Sequence, residues 1–451
     1  MRPINARSRS RIAAGAMAAT LLVACATDTR HAHKQSVVIV TLDTTRADYL
    51  PMYGSGIVQT PAMDRLAREG VVFDRAESVA PLTLTAHTSL FTGLYPPRHG
   101  VRDNAAAPLT ADHPTLAEIL HGQGWHTAAF VGASVLAADR GLSRGFDVYD
   151  DGGTAQAGRS PRRPANEVID GALAWLFAAS ESPFLLWVHL YDAHAPQSPP
   201  DEYRRAYPAD QYSAGIAFAD SQLGRLLDAL DRQPSTRDTI VVVAGDHGES
   251  LGDHGEFEHG IFLYESALHV PLVVRAPDVR RGHIQDLVSL VDVTPTVLGL
   301  LGIRSVASDG VSLVASLCGR DGPATRWVYA ESMYPRHFGW SALRAMRDTR
   351  YKFIEAPRPE LYDLDADPFE DHNLASVQPD VVARMRARLG ALDTSAKAAD
   401  PRSSREVPAA LRARLMSIGY VSGAASPAAG EAPDPKDFIQ LFNAVRHHEG
   451  R

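Results

Sequence analysis

The sequence predicts an α/β fold in which a largely parallel sheet carries helices on both faces. Three observations lead there. Short, mainly apolar runs at 36–42, 184–190 and 239–244 have the length and composition of strands buried on both sides. Segments with apolar residues at helical spacing lie between them, and such alternation builds parallel strands through crossover helices. Asp43 and Asp246 each follow one of these runs, at the place where open α/β sheets gather ligands, outside the carboxyl ends of the strands.

The elements follow in order. Residues 36–42 form the first strand. Thr60-Pro61, then Met63, Leu66 and Ala67 on one face with Gly70 at the close, reads as a capped helix. Residues 85–92 closed by Gly93 read as a short helix, with Thr83 just ahead of its N-terminus. A helix at 114–122 turns Leu116, Ile119 and Leu120 inward, and a strand at 127–131 follows. Residues 166–178 are helical in spacing, and the strand at 184–190 leads into Tyr191-Asp192-Ala193-His194. The helix at 214–231 turns Ile216, Leu223, Leu226, Leu227 and Leu230 inward, and the strand at 239–244 delivers Asp246. A further strand at 271–275 and a helix at 290–301 complete this part.

After about Arg326 the pattern changes. Short strand-like runs at 327–330, 342–346 and 351–354 come without long helices between them, which predicts a small antiparallel subdomain. Beyond about 395 the chain is rich in Ala, Pro, Ser and Gly, and 424–435 reads as a linker. In 437–447, Phe438, Ile439, Leu441, Phe442 and Val445 fall at helical spacing. A helix this short is marginal alone, so it docks either on the body or on a partner.

Composition sets the class. The chain has 451 residues, 45% hydrophobic and 22% charged, enough for a large core and a smaller second unit. Net charge is −8, and no basic stripe offers a footprint for nucleic acid. The N-terminus stands apart. Arg2, Arg7, Arg9 and Arg11 precede an apolar stretch at 12–24, too short to span a bilayer and suited to a signal peptide. It ends in Leu22-Val23-Ala24-Cys25, which resembles the lipobox of bacterial lipoproteins. The only other cysteine is Cys318, so no disulfide scaffold is expected. The expectation is a signal peptide at 1–25 with Cys25 lipidated, a tether at 26–34, and an exported, periplasmic or outer-membrane-anchored enzyme that meets the membrane through its lipid.

The chemistry rests on residues far apart in sequence. Asp43, Asp246 and His247, with the hydroxyl of Thr83, form a donor set suited to one divalent cation such as Zn²⁺, Mn²⁺ or Ca²⁺. Thr83 near a helix N-terminus is either a cap or a hydroxyl placed to attack an anionic ester. Arg46 is a candidate substrate contact or a salt bridge. His189, inside an apolar strand, reads as a satisfied core histidine.

The run at 36–48 resembles the opening of the sulfatase family of the alkaline phosphatase superfamily. So do Thr92-Gly93-Leu94-Tyr95-Pro96-Pro97-Arg98-His99-Gly100-Val101 and Gly245-Asp246-His247-Gly248-Glu249. Glu360-Leu361-Tyr362-Asp363-Leu364, Asp367-Pro368-Phe369-Glu370 and Asn373-Leu374 carry the resemblance to about residue 376. It implies a three-layer α/β/α sandwich with a largely parallel mixed sheet: a catalytic domain at 35–325, a small C-terminal sheet subdomain at 326–395, and a tail at 396–451.

The departures bear on the chemistry. Sulfatases carry Cys or Ser in Cys/Ser-x-Pro-x-Arg, converted to formylglycine; here the stretch is Thr83-Leu84-Thr85-Ala86-His87, so no formylglycine is expected. Thr44 stands where many members have a second Asp. The threonine resembles the nucleophile of phosphonate hydrolases, nucleotide pyrophosphatases and phosphoethanolamine or lipoteichoic-acid transferases of the same superfamily. The resemblance implies Asp43, Thr83, Asp246 and His247 at the metal, with Thr83 as nucleophile, and makes His87, His194 and His259 candidates for substrate oxygens and for protonating the leaving group. The expected function is hydrolysis of sulfate, phosphate or phosphonate esters of small molecules, glycans or lipids. The alternatives are a phosphoethanolamine- or phosphoglycerol-type transferase, including one acting on cell-surface glycans or lipids, and a non-catalytic anion-binding lipoprotein.

Overall fold

The computed structural model describes residues 34–154, 160, 162–179, 182–304, 306–322, 326–397 and 432–449. The expected signal peptide, Cys25 and nearly all of the tether lie outside these residues, as does most of the expected linker at 424–435.

Eight strands form the main sheet: β1 (Val37–Leu42), β2 (Val71–Glu77), β3 (His126–Val131), β4 (Val148–Asp150), β5 (Phe184–Leu190), β6 (Ile240–Gly245), β7 (Leu272–Arg275) and β8 (Gly282–Ser289). Their order is β4-β3-β5-β1-β6-β7-β2-β8. All neighbours run parallel except at β7, which is antiparallel to both β6 and β2. The link from β6 to β7 carries only short helical turns and no crossover helix, so β7 returns antiparallel.

Side chains alternate across β1 and feed two cores. Val38, Val40 and Leu42 face Met63 and Leu66 of helix Pro61–Glu69, Ile169 and Ala172 of helix Ala165–Ala179, and Leu223 and Leu227 of helix Gln211–Arg232. Val37 and Ile39 face Leu84 and Leu90 of helix Thr83–Thr92, Leu116 and Leu120 of helix Leu116–Gly122, and Val297 of helix Val293–Leu300. The result is a three-layer α/β/α sandwich.

A separate antiparallel sheet follows: β9 (Val328–Ser332), β10 (Leu343–Arg347), β11 (Tyr351–Glu355) and β12 (Glu360–Asp363), in the order β12-β11-β10-β9. Its Tyr329, Leu343, Phe353 and Leu361 join the second core, where helix Pro379–Lys397 adds Val382, Met385 and Leu389. Two expectations shift. The helix expected at 290–301 is a 3₁₀ turn, Leu290–Asp292, running into Val293–Leu300. The helix expected from 85 begins at Thr83, with Leu82 as its extended N-cap.

Register places the site. Leu42, the last residue of β1, pairs with Leu190 of β5 and with Gly245 of β6. The three central strands therefore end level, and the residues that follow them meet at one edge of the sheet.

Candidate active site

Asp43 and Asp246 emerge side by side at that edge, each fully enclosed. The turn after Asp43 is tight. Thr44 takes a left-handed backbone (φ 50°), costly for a β-branched residue, and its amide donates to Asp246 Oδ1 at 3.2 Å. The His247 amide donates to the same oxygen at 2.8 Å. Gly248 follows because a Cβ there would lie 2.0 Å from the Ser266 carbonyl oxygen.

Helix Thr83–Thr92 is buried at all ten positions and ends in Gly93 with φ 70°. Thr83 sits in its first turn. Its Oγ1 donates to Asp43 Oδ2 at 3.3 Å and lies 3.3 Å from His247 Nε2. His247 Nδ1 donates to the Gly248 carbonyl at 2.9 Å, which leaves the Nε2 lone pair facing Thr83. Asp43, Asp246 and His247 each offer a ligand atom, all within 4.8 Å of one another.

The electrostatics of this cluster favour a cation. Burial pushes the Asp43 carboxyl up to about 7, against the pull of His247, and burial followed by the Asp43 charge raises Asp246. Asp43 Oδ1 and Asp246 Oδ2 are buried without a hydrogen-bond partner. Two enclosed carboxylates with unsatisfied oxygens, an imidazole lone pair and a hydroxyl fit a divalent metal ion, which would offset the desolvation they otherwise bear.

The histidines divide. His87, expected to meet substrate oxygens, lies beneath the site with no exposure. Its Nδ1 donates to the Thr83 carbonyl at 2.7 Å and its Nε2 contacts Thr41 Oγ1 at 2.9 Å. Both nitrogens are committed, so it shapes the first turn of the helix instead. Burial depresses it to about 3. His194 and His259 are brought together, with ring centres 5.0 Å apart, and His259 lies 4.5 Å from His247. His194 Nδ1 donates to the Ala195 carbonyl at 2.6 Å, and its ring stacks on Tyr191. Burial, then His259 and Arg162, hold it well below its usual range. His259 Nδ1 pairs with Glu249 Oε1 at 3.0 Å.

Arg46, read as a substrate contact or a salt bridge, makes the salt bridges and clamps a loop. Its guanidinium binds Asp48 through Nε and Nη2, and the Glu249 and Ser250 carbonyls and Asp253 through Nη1. Two residues were missed. His189 contacts Asp43 Oδ2 at 3.1 Å and lies with no exposure beside His87. Its signal was register, since it pairs with Thr41 one residue before β1 ends. Glu249, the partner of His259, lies two residues after His247 in a motif that carried the resemblance, but no role was assigned to it.

A sequence profile of the family described as Sulfatase matches residues 35–303, and one described as N-sulphoglucosamine sulphohydrolase, C-terminal, matches 252–395. The chain belongs to the sulfatase family, and it is a sulfatase-like ester hydrolase in class. It is 25% identical to a Delta 4,5-hexuronate-2-O-sulfatase of Bacteroides thetaiotaomicron, covering 89% of this chain and 97% of the relative. It is 26% identical to a choline-sulfatase of Rhizobium meliloti, over 76% and 82%. Its fold superimposes on the crystal structure of the phosphonate monoester hydrolase of Agrobacterium radiobacter with a TM-score of 0.69 at 22% identity, over 80% of this chain and 96% of that one.

Proposed function

We propose that this protein is a metal-dependent hydrolase of sulfate, phosphate or phosphonate esters in which Thr83 is the nucleophile. The observation that carries this is Thr83 Oγ1 lying 3.3 Å from both Asp43 Oδ2 and His247 Nε2, at the first turn of a buried helix. Relatives that cleave sulfate esters and a fold neighbour named for phosphonate monoesters support the substrate class.

Asp43, Asp246, His247 and Thr83 would hold the cation, which when bound supplies Lewis acidity to the hydroxyl and to the charged ester oxygens. Thr83 gives its proton toward Asp43 Oδ2 and forms a bond from Oγ1 to the phosphorus or sulfur centre. The bond from that centre to the alcohol oxygen breaks, and the electron pair leaves with the alcohol. His259 protonates it, its ring held in place by the Glu249 carboxylate. Water then cleaves the threonine ester, releasing the oxyanion and restoring the hydroxyl. The water proton passes to His259, which gave its own to the alcohol, and Asp43 returns the threonine proton; His194, with its Nδ1 committed to the Ala195 carbonyl, stands beside the His259 ring. The helix N-terminus stabilises charge on the transferring group.

The test is a panel of aryl sulfate, phosphate monoester, phosphodiester and phosphonate monoester on the detergent-solubilised full chain, with Mn²⁺, Zn²⁺ or Ca²⁺. Thr83→Ala should lower kcat more than about a thousandfold while leaving the fold intact. Turnover near the wild-type rate in that variant would end the nucleophile assignment.

A further inference from the structure

The chain returns to the active-site loop from its far C-terminal side. Residues 432–443 cross the small sheet: the Ser341 amide donates to the Pro433 carbonyl at 2.9 Å, and the Arg358 amide to Asp434 Oδ2 at 3.0 Å. Arg358 grips both oxygens of Asp437 at 3.0 and 2.7 Å. Phe438 stacks on Trp340 at 5.4 Å, and Phe442 packs edge-on against Phe338 and Tyr334. The segment then meets the loop that carries Glu249 and His259. Asn443, 5% exposed, donates from Nδ2 to the Gly255 carbonyl at 2.6 Å and accepts from the Phe257 amide at 3.4 Å. Tyr334, backed by Phe442, packs directly on Gly260, next to His259.

The loop has its own internal ties. Ser250 and Glu258 are joined through their backbones at 2.9 Å, and Gly252 and Glu256 at 2.7 Å. Those bonds fix its shape, and on its inner side Arg46 holds the Glu249 and Ser250 carbonyls and Asp253, while His254 meets the Phe369 carbonyl and Ser332 the Gly260 carbonyl. On the outward side, Asn443 ties Gly255 and Phe257 to the C-terminal segment, beside Ile439 and Gln440 at Gly255.

We infer that residues 432–443 are a strap that sets the position of the Glu249–His259 pair, and that Asn443 is its positioning residue. Asn443 touches neither the metal-ligand cluster nor the space above Thr83. It acts through the loop, one side chain satisfying both a carbonyl and an amide of the same turn. The catalytic consequence rests on His259 being the group that protonates the leaving alcohol; the structural one does not.

Two measurements on the full chain test this. Hydrogen–deuterium exchange in Asn443→Ala should quicken at 250–260 and stay unchanged in β1 and β6. Exchange at 250–260 that matches the wild type would overturn the strap. In the second, kcat is compared on 4-nitrophenyl and phenyl esters of the acid that the panel selects. A poor leaving group needs the proton and a good one does not. Asn443→Ala should therefore lose about tenfold to a hundredfold on the phenyl ester, with KM unchanged, and little on the nitrophenyl ester. His259→Ala should show the same contrast, more strongly. If His259→Ala discriminates and Asn443→Ala slows both esters alike or neither, the positioning role fails. If His259→Ala does not discriminate while the exchange change is seen, the acid assignment fails and the strap stands.

Discussion

At the scale of single residues, burial sets most of the behaviour near the site. Glu256 is enclosed and accepts from the Ile261 and Phe262 amides and from Ser250 Oγ. Burial nonetheless outweighs these bonds and pushes its carboxyl up to about 8. Its unfolded value is near the ordinary glutamate range of about 4.3. Between those values the folded chain holds a proton that the unfolded chain has lost, so this residue's contribution to stability falls as pH rises from about 4.3 to about 8. Glu256→Gln removes the titration. Urea midpoints should show the variant gaining on the wild type as pH goes from 5 to 8; parallel pH profiles would contradict the reading. His189 shows the limit of reading residues singly. An imidazole among Leu185, Leu186, Trp187 and Val188 looks like core, and only pairing across the sheet brings it to Asp43.

At the scale of elements, legibility follows how much each segment is buried. β1, β5 and β6 are buried at every position and stand out as apolar runs. β8 alternates burial with polar residues such as Gln285 and Asp286, and so it hides. β2, with Asp74 and Arg75 half-buried in its middle, hides for the same reason. The helix Thr83–Thr92 was found by its Gly93 stop, but its hydroxyl-rich sequence does not tell that no face reaches solvent. Thr88 and Thr92 turn their hydroxyls back to carbonyls one turn earlier, which is how so polar a helix is accommodated inside. Its terminus is correspondingly exacting. Gly93 holds φ 70°, and a Cβ there would lie 2.7 Å from Ser308 Oγ. Gly93→Ala should cost about 1–3 kcal/mol in thermal or chemical denaturation. A loss under 0.5 kcal/mol would mean that the cap relaxes freely.

At the scale of the whole molecule, the two sheets are joined by buried charge as well as by apolar packing. Lys352 of β11, 1% exposed, lies 3.0 Å from both Glu265 and Glu370. Arg347 of β10 reaches Glu265 at 2.9 Å and also pairs with Glu77 at the end of β2. Breaking one partner of such a network strands the others in low dielectric. Lys352→Met should therefore destabilise the protein by about 3–5 kcal/mol, and Lys352→Met with Glu370→Gln by less. Additive losses would show the charges to be independent. The level ending of the three central strands has a consequence of another kind. Asp43 and Asp246 are neighbours only because β1 pairs in one register with β6. A slip of one residue would turn every side chain of a strand to the opposite layer. A chain that has collapsed with its helices and strands formed but its pairing unsettled would look native by circular dichroism and have nowhere to bind a cation. During refolding, then, turnover is the last signal to return, and it reports the moment when β1 finds β6 in that register.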